Sequence, residues 1–203
     1  MNAKVKKLII GTQNKSKFKE ICSALSEIDL EIKFPPDLGI HEEPKETGKS
    51  FKENADIKAR FYFDASQIPC VSDDSGIFVT ALKDELGMHT RRWGAGEKAS
   101  DQEWLNFFLE KMSNMEDRTA RFVSFISFFD GEKILSFQGE VRGEIAREPQ
   151  SEIEAGIPLS SVFVPDGSNK VFSAMTKQEK NAFSHRGKAL KKFMAFLGSS
   201  FSK

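Results

Sequence analysis

"RFVSFISFFDGEKILSFQGEVRGEIA", residues 121–146, decides the class of the fold. Apolar and polar side chains alternate through 121–129 and again through 134–146, the period of a β-strand with one buried face. The Asp130-Gly131 pair between them is a turn signal, so the two runs are expected to pair as an antiparallel hairpin. Toward the N-terminus, "KVKKLIIGT" (4–12) reads as a buried strand. Behind it, Phe18, Ile21, Cys22, Leu25 and Ile28 fall at helical spacing, with Asn14 placed to cap the helix. Three further helix starts carry the capping-box pattern. Ser50 and Glu53 open a helix running to about residue 66. Ser100 and Glu103 open one with Trp104, Phe107 and Phe108 on one face. Thr176 and Glu179 precede a last helix carrying Phe183, Arg186, Ala189, Leu190, Phe193 and Leu197. Strands joined both by helices and by a hairpin make an α/β protein with a mixed sheet.

Composition narrows the function. The 203 residues suffice for a large domain or a two-lobed one, and 30 basic residues offset 30 acidic ones. Bulk charge therefore draws the chain neither to nucleic acid nor to an anionic membrane, and any phosphate binding must be local. No window approaches the roughly 20 apolar residues of a membrane span. Cys22 and Cys70 lack metal-ligand spacing and read as reduced core thiols, which suits a cytoplasmic protein.

Four stretches carry chemistry-bearing residues. In "GTQNKSK" (11–17), Thr12, Asn14, Lys15, Ser16 and Lys17 lie where a strand ends and a helix begins, a place that favours anions. The P-loop spacing is absent, and lysines ahead of a helix also occur as plain solvated charge. On the helix from Ser50, Lys58 follows Asn54 by one turn, a pattern equally shared by ordinary amphipathic helices. Asp73 and Asp74 in "CVSDDSGIFV" (70–79) are like charges side by side, which a cation or a proton would have to compensate if they are buried. Strand alternation would send them to opposite faces unless the chain turns at Ser75-Gly76. One Mg²⁺ shared with a carboxylate from the Glu42, Glu43, Glu46 loop satisfies them, as does an exposed Asx turn. Finally, Lys180, Ser184, His185 and Arg186 gather at a helix start, where they suit either a base carbonyl or phosphate, or a solvated surface. No two of the three histidines are spaced for zinc.

Taken in order, the motifs T-x-N-x-x-K (12–17), E-T-G-x-x-F-x-E-N-A-x-x-K-A (46–59), D-D-S-G (73–76), R-x-A-R-F (118–122), G-x-I-x-R-E-P (143–149) and E-K-N-x-x-S-H-R (179–186) resemble the inosine triphosphate pyrophosphatase family. The match spans nearly the whole chain, residues 1–203, as one domain. The resemblance implies a two-lobed, elongated α/β fold around a long mixed sheet with flanking helices, the active site in the cleft between lobes, and a homodimer. It implies hydrolysis of ITP, dITP and XTP to monophosphate and pyrophosphate with Mg²⁺, the alternatives being the same chemistry with altered base preference or a non-catalytic nucleotide-binding relative. Residue by residue, it makes Thr12, Asn14, Lys15 and Lys17 the triphosphate loop, with Gln13 and Ser16 among its substrate-binding residues. Lys58 would reach the same phosphates. Asp74 would be the general base, with Asp73, Glu46 and Glu43 helping it hold Mg²⁺, and Ser75 would touch substrate. Lys180, His185 and Arg186 would meet the 6-oxo group of the base.

One segment departs from the family. Where an aromatic-rich F-G-Y-D-P-x-F stretch follows the R-E-P strand, this chain has "IPLSSVFVP" (157–165). Ile157, Leu159 and Ser160 replace Phe, Tyr and Asp at the base. Loss of that aromatic surface is expected to weaken stacking by about 1–3 kcal/mol and to shift base preference. "GMHTRRWGAG" (87–96) is bulkier than its family counterpart, and Arg91, Arg92 and Trp93 suit either subunit contacts or an exposed loop.

Overall fold

The hairpin forms as the alternation requires, in a computed structural model that describes residues 6–83, 85–96 and 98–201. Strands β4 (Thr119–Phe129) and β5 (Ile134–Ile145) pair antiparallel from Phe129↔Ile134 to Thr119↔Glu144. Gly131 takes φ 99°, and Asp130 Oδ1 accepts the amides of Glu132 and Lys133 at 2.9 and 2.8 Å. A glycine with positive φ is what this tight connection demands. The long strand β3 (Cys70–Val79) runs antiparallel to β4 over its full length. On its other side β1 (Lys7–Ile10) is parallel to β3 and to β2 (Glu31–Lys33), and β6 (Phe163–Pro165) closes the far edge against β5. The sheet is mixed, in the order β2-β1-β3-β4-β5-β6.

Helices α1 (Lys15–Ala24) and α5 (His185–Phe201) cover one face of this sheet, and α2 (Phe51–Ser66) covers the other. Ile21, Leu25, Ala189, Leu190 and Phe193 pack with Val71, Ile126 and Phe128 at one end of β3 and β4. A second core gathers at the other end, where Ile77, Val79, Val141 and Ile145 meet Trp104, Leu105 and Phe108 of α3 (Asp101–Lys111). The long strands thus carry one core at each end, the expected two lobes, and Asp73, Asp74 and Ser75 lie between them.

Three expectations need correction. The first strand is shorter than 4–12: residues 4 and 5 lie outside the described residues, and Gly11 donates its last amide to Val71 O at 2.8 Å before the chain leaves the ladder. There is no turn at Ser75-Gly76, because β3 continues to Val79. Gly76 is required by closeness instead, since a Cβ there would sit 2.3 Å from Gly87 O and 2.8 Å from the Phe51 ring. The last helix is two helices, α4 (Lys177–Phe183) and α5, broken at Ser184 with ψ 152°. Ser184 ends α4 by donating its amide to Lys180 O and opens α5 by accepting the Gly187 amide on its hydroxyl at 2.9 Å. A serine that satisfies orphan groups on both sides is a natural break. The side chains of Arg91 and Arg92, candidates for a subunit contact, lie outside the described residues.

Candidate active site

β1 stops pairing with β3 after Ile10↔Val71. From there one chain turns into the 12–14 loop and α1, which leads to β2 on one side, while β3 runs on beside β4. In open α/β sheets such a topological switch point opens a crevice at the strands' carboxyl ends. A cleft of about 430 Å³ lies there, lined by the loop after β1, the 43–46 loop, Lys58, the middle of β3, residues 156–160 and the start of α5.

Because β3 is unbroken, its two aspartates face opposite ways. Asp73 points toward α1 and α5. Its Oδ2 lies 2.9 Å from Lys17 Nζ and 3.1 Å from the Arg186 guanidinium and accepts from the Ser75 hydroxyl, while Oδ1 accepts from Ser124 at 2.5 Å. Burial pushes this carboxyl up, but Arg186 and Lys17 outweigh it and hold the group well below the usual carboxylate range. Arg186 also pairs with Glu20, whose other oxygen takes Lys180 at 2.5 Å. Lys180 reaches Glu154 at 2.5 Å as well. Charges alternate through this buried network, which fixes Lys17, Lys180 and Arg186 in place.

Asp74 points toward α2. Its Oδ1 accepts from Lys58 Nζ at 2.8 Å, and the same ammonium reaches Glu46 at 2.9 Å. Burial raises the Asp74 pKa, with Lys58 and Lys17 opposing it only in part. Burial alone would lower Lys58, yet Asp74 and Glu46 leave it above its ordinary value. The result is a buried carboxylate more basic than usual, held by one ammonium at the edge of a cleft, a disposition suited to accepting a proton.

The loop after β1 is braced from several sides. Asn14 Oδ1 caps α1 by accepting the amides of Ser16 and Lys17 at 2.9 and 3.1 Å, and its amide nitrogen donates to Gly156 O at 3.1 Å. Thr12, Asn14 and Lys17 line the cleft. Gln13, Lys15 and Ser16 do not line it. Gln13 donates to Ile40 O and Ser16 to Ala155 O, and Lys15 is exposed. At the opposite end, His185 stacks on Phe122 with centroids 4.7 Å apart and 10° between planes. Burial first, then the Arg186 charge, holds its imidazole far below the ordinary value, so it is neutral. Ile157, Ser160 and Lys180 line the same cleft, as do Ser75, Glu43 and Glu46.

Sequence reading missed Glu20, Glu154, Ser124 and Trp104. Glu20 follows Lys17 by one turn of α1 and could have been found from that spacing. Ser124 reaches Asp73 only because β4 pairs with β3, Ser75↔Ser124. The aromatic surface absent at Ile157 and Leu159 comes from elsewhere, with Trp104, Phe122 and Phe172 lining the cleft.

A Mg²⁺ ion would fit the Asp74 side. Among the described residues no three histidines, cysteines or carboxylates gather to hold a metal unaided. Asp74 and Glu46 offer hard oxygen donors around the Lys58 ammonium, and Glu43 lines the same cleft. Magnesium is commonly held this way, by one or two carboxylates with substrate phosphates and water completing the shell. Both oxygens of Asp73, on the other face, are already engaged by four protein groups.

The profile of the Ham1 family matches residues 8–196. The chain is 38% identical over 199 residues to a dITP/XTP pyrophosphatase of Aquifex aeolicus, which covers 94% of this chain and 96% of that protein. It is 38% identical over 192 residues to a dITP/XTP pyrophosphatase of Leptospira interrogans, with 95% and 97% covered. Among solved structures, a HAM1 protein from Coxiella burnetii superposes with a TM-score of 0.79 at 31% identity, covering 95% of this chain and 98% of that one.

Proposed function

The chain belongs to the Ham1 family, and from that membership and the geometry of the cleft we propose that it hydrolyses dITP, ITP and XTP to nucleoside monophosphate and pyrophosphate. The observation that carries this reading is Asp74, a buried carboxylate of raised pKa. It is held by Lys58 in the same cleft as Lys17 and the capped end of α1.

Lys17, Lys58 and the loop around Thr12 and Asn14 bind the triphosphate and neutralise its oxygens, where most of the stabilisation of phosphoryl transfer lies. Water attacks the α-phosphorus in line with the departing pyrophosphate, and Asp74 orients that water and takes its proton. Mg²⁺, held by Asp74, Glu46 and Glu43 with substrate oxygens, supplies further charge neutralisation when bound. Asp73 keeps Lys17 and Arg186 aimed rather than binding the metal. His185 and Arg186, with Lys180 behind them, face the 6-oxo side of the base. A 6-amino base would leave their donors unpaired. Residues 1–203 act as one domain, in the cytoplasm and as a homodimer. No described helix is long and apolar enough to cross a membrane, and both cysteines are free. The motif resemblance supports the dimer, and the mass in solution tests it.

Pyrophosphate release from ITP, dITP, XTP, ATP and GTP, with Mg²⁺ and with excess chelator, tests the assignment. The expected outcome is release from the first three, loss of activity in chelator and recovery on adding Mg²⁺. ATP hydrolysed as fast as ITP would sink the 6-oxo reading. The replacement of Phe, Tyr and Asp by Ile157, Leu159 and Ser160 supports a second reading, the same chemistry with a shifted order among the oxo bases.

A further inference from the structure

Trp104 Nε1, Ser160 Oγ and His185 Nδ1 have no hydrogen-bond partner among the described residues, and all three residues line the cleft. They are 1%, 5% and 6% exposed. Folded proteins leave few buried polar groups unpaired. These three around one cleft, from α3, the 158–161 turn and the start of α5, with the unpartnered Nε of Arg186 as a fourth, mark a place where a ligand supplies the partners.

Of the three, Trp104 is chemically the least ambiguous. A hydroxyl or a neutral imidazole can donate or accept, whereas an indole N–H only donates. Its orientation is fixed, with the ring stacked on Phe108 at 5.5 Å and 7°. Its helix is locked by the full Ser100–Glu103 capping box. Asp101, in the first turn of α3, accepts the Gly156 amide at 2.6 Å and ties the helix to the segment that carries Ser160. The group that meets Trp104 is therefore an acceptor at a set position.

Resting on the reading that the cleft takes a 6-oxopurine triphosphate, we propose that Trp104 is a specificity-determining residue that reads position 2 of the base. Its indole N–H donates to a 2-oxo group, so the site favours xanthine over hypoxanthine and rejects guanine. Hypoxanthine has only C–H at that position and leaves the donor unpaired. Guanine presents an amino group, so donor faces donor, and Ser160 offers no fixed negative charge to hold that amino group. With the 6-oxo side assigned to His185 and Arg186, the two carbonyls of xanthine meet donors from two different lobes of the cleft wall.

The test compares kcat/KM for XTP, ITP and GTP in the unaltered protein and in Trp104→Phe, which keeps an aromatic ring and removes the N–H. XTP is expected to lead ITP by about tenfold in the unaltered protein. In Trp104→Phe the ratio of XTP to ITP should fall to about two or below, and GTP should gain relative to ITP. An unchanged ratio, with both substrates slowed alike, would show a packing role only and overturn the proposal. If Trp104→Phe does not fold, the unaltered protein still answers through its two indole N–H resonances, assigned with Trp93→Phe. The Trp93 indole, bonded to Glu85 at 3.3 Å, serves as internal reference. Xanthosine monophosphate should shift the Trp104 signal and inosine monophosphate should leave it nearly in place. Equal shifts with xanthosine, inosine and guanosine monophosphates would mean contact with a ring nitrogen common to all purines, which overturns the proposal. No pyrophosphate from any triphosphate would instead sink the hydrolytic reading, while the resonance shifts still decide the base contact.

Discussion

Because a strand sends successive side chains to opposite faces, Asp73 meets Lys17 and Arg186 while Asp74 meets Lys58. Their substitutions should therefore fail in different ways. Asp74→Asn removes the proposed proton acceptor but leaves a similar shape beside Lys58, so kcat should drop by about 10²–10⁴-fold, with the melting temperature nearly unchanged. Asp73→Asn removes the carboxylate that Lys17 and the buried Arg186 share, leaving Arg186 with Glu20 alone, and breaking such a buried pair costs about 3–5 kcal/mol. Thermal melts set beside pyrophosphate release separate the two outcomes. Equal destabilisation by both substitutions would contradict the division of labour.

At the scale of elements, the placement of His185 and Arg186 depends on how closely α5 approaches β5. A Cβ on Gly139 would lie 1.9 Å from His185 O and 2.7 Å from Ala189 N, both backbone atoms that cannot move alone. Gly139→Ala should lift the start of α5 from the sheet, at about 1–3 kcal/mol for the overpacking. It should also raise KM by misplacing His185 and Arg186, proposed to face the base, although residue 139 itself does not line the cleft. Kinetics on ITP and a melt check both effects, and unaltered KM would disprove the coupling. The break at Ser184 belongs here too. The Thr176 capping box made a helix start legible, but the apolar spacing ran on through Phe193 and concealed the restart. Only the hydroxyl bond to Gly187 and the extended ψ of Ser184 reveal it.

Over the whole molecule, folding keeps His185 neutral, so stability must depend on pH well above the carboxylate range. Below about pH 6.5, the ordinary histidine value, the unfolded chain takes up a proton that the folded protein refuses. The His185 contribution is thus full above that value and falls by about 1.4 kcal/mol per pH unit beneath it, while Asp74, raised in the folded state, opposes the fall. Asp73 and Glu20, both lowered in the folded state, add a second decline below about pH 4 as the unfolded carboxylates protonate first. Urea midpoints at pH 7.5, 6 and 5 should show the unaltered protein losing ground steadily to His185→Gln as the pH falls. A difference between the two proteins that stays constant from pH 7.5 to 5 would show that His185 is not held neutral.

The sequence by itself determined the mixed α/β class, the hairpin, the capped helix starts and the six ordered motifs. Each rests on local period or local spacing, which survives in a one-dimensional record. Packing settled what each aspartate meets on its own face of the sheet, why Gly76 must be glycine, and that Trp104 joins the cleft. Those depend on strand direction, on contacts such as Gly76 with Gly87 O, and on residues more than fifty positions apart meeting at the point where β1 leaves β3. Pattern fixes which face a side chain takes within its own element, and only the packing of elements fixes what that face meets.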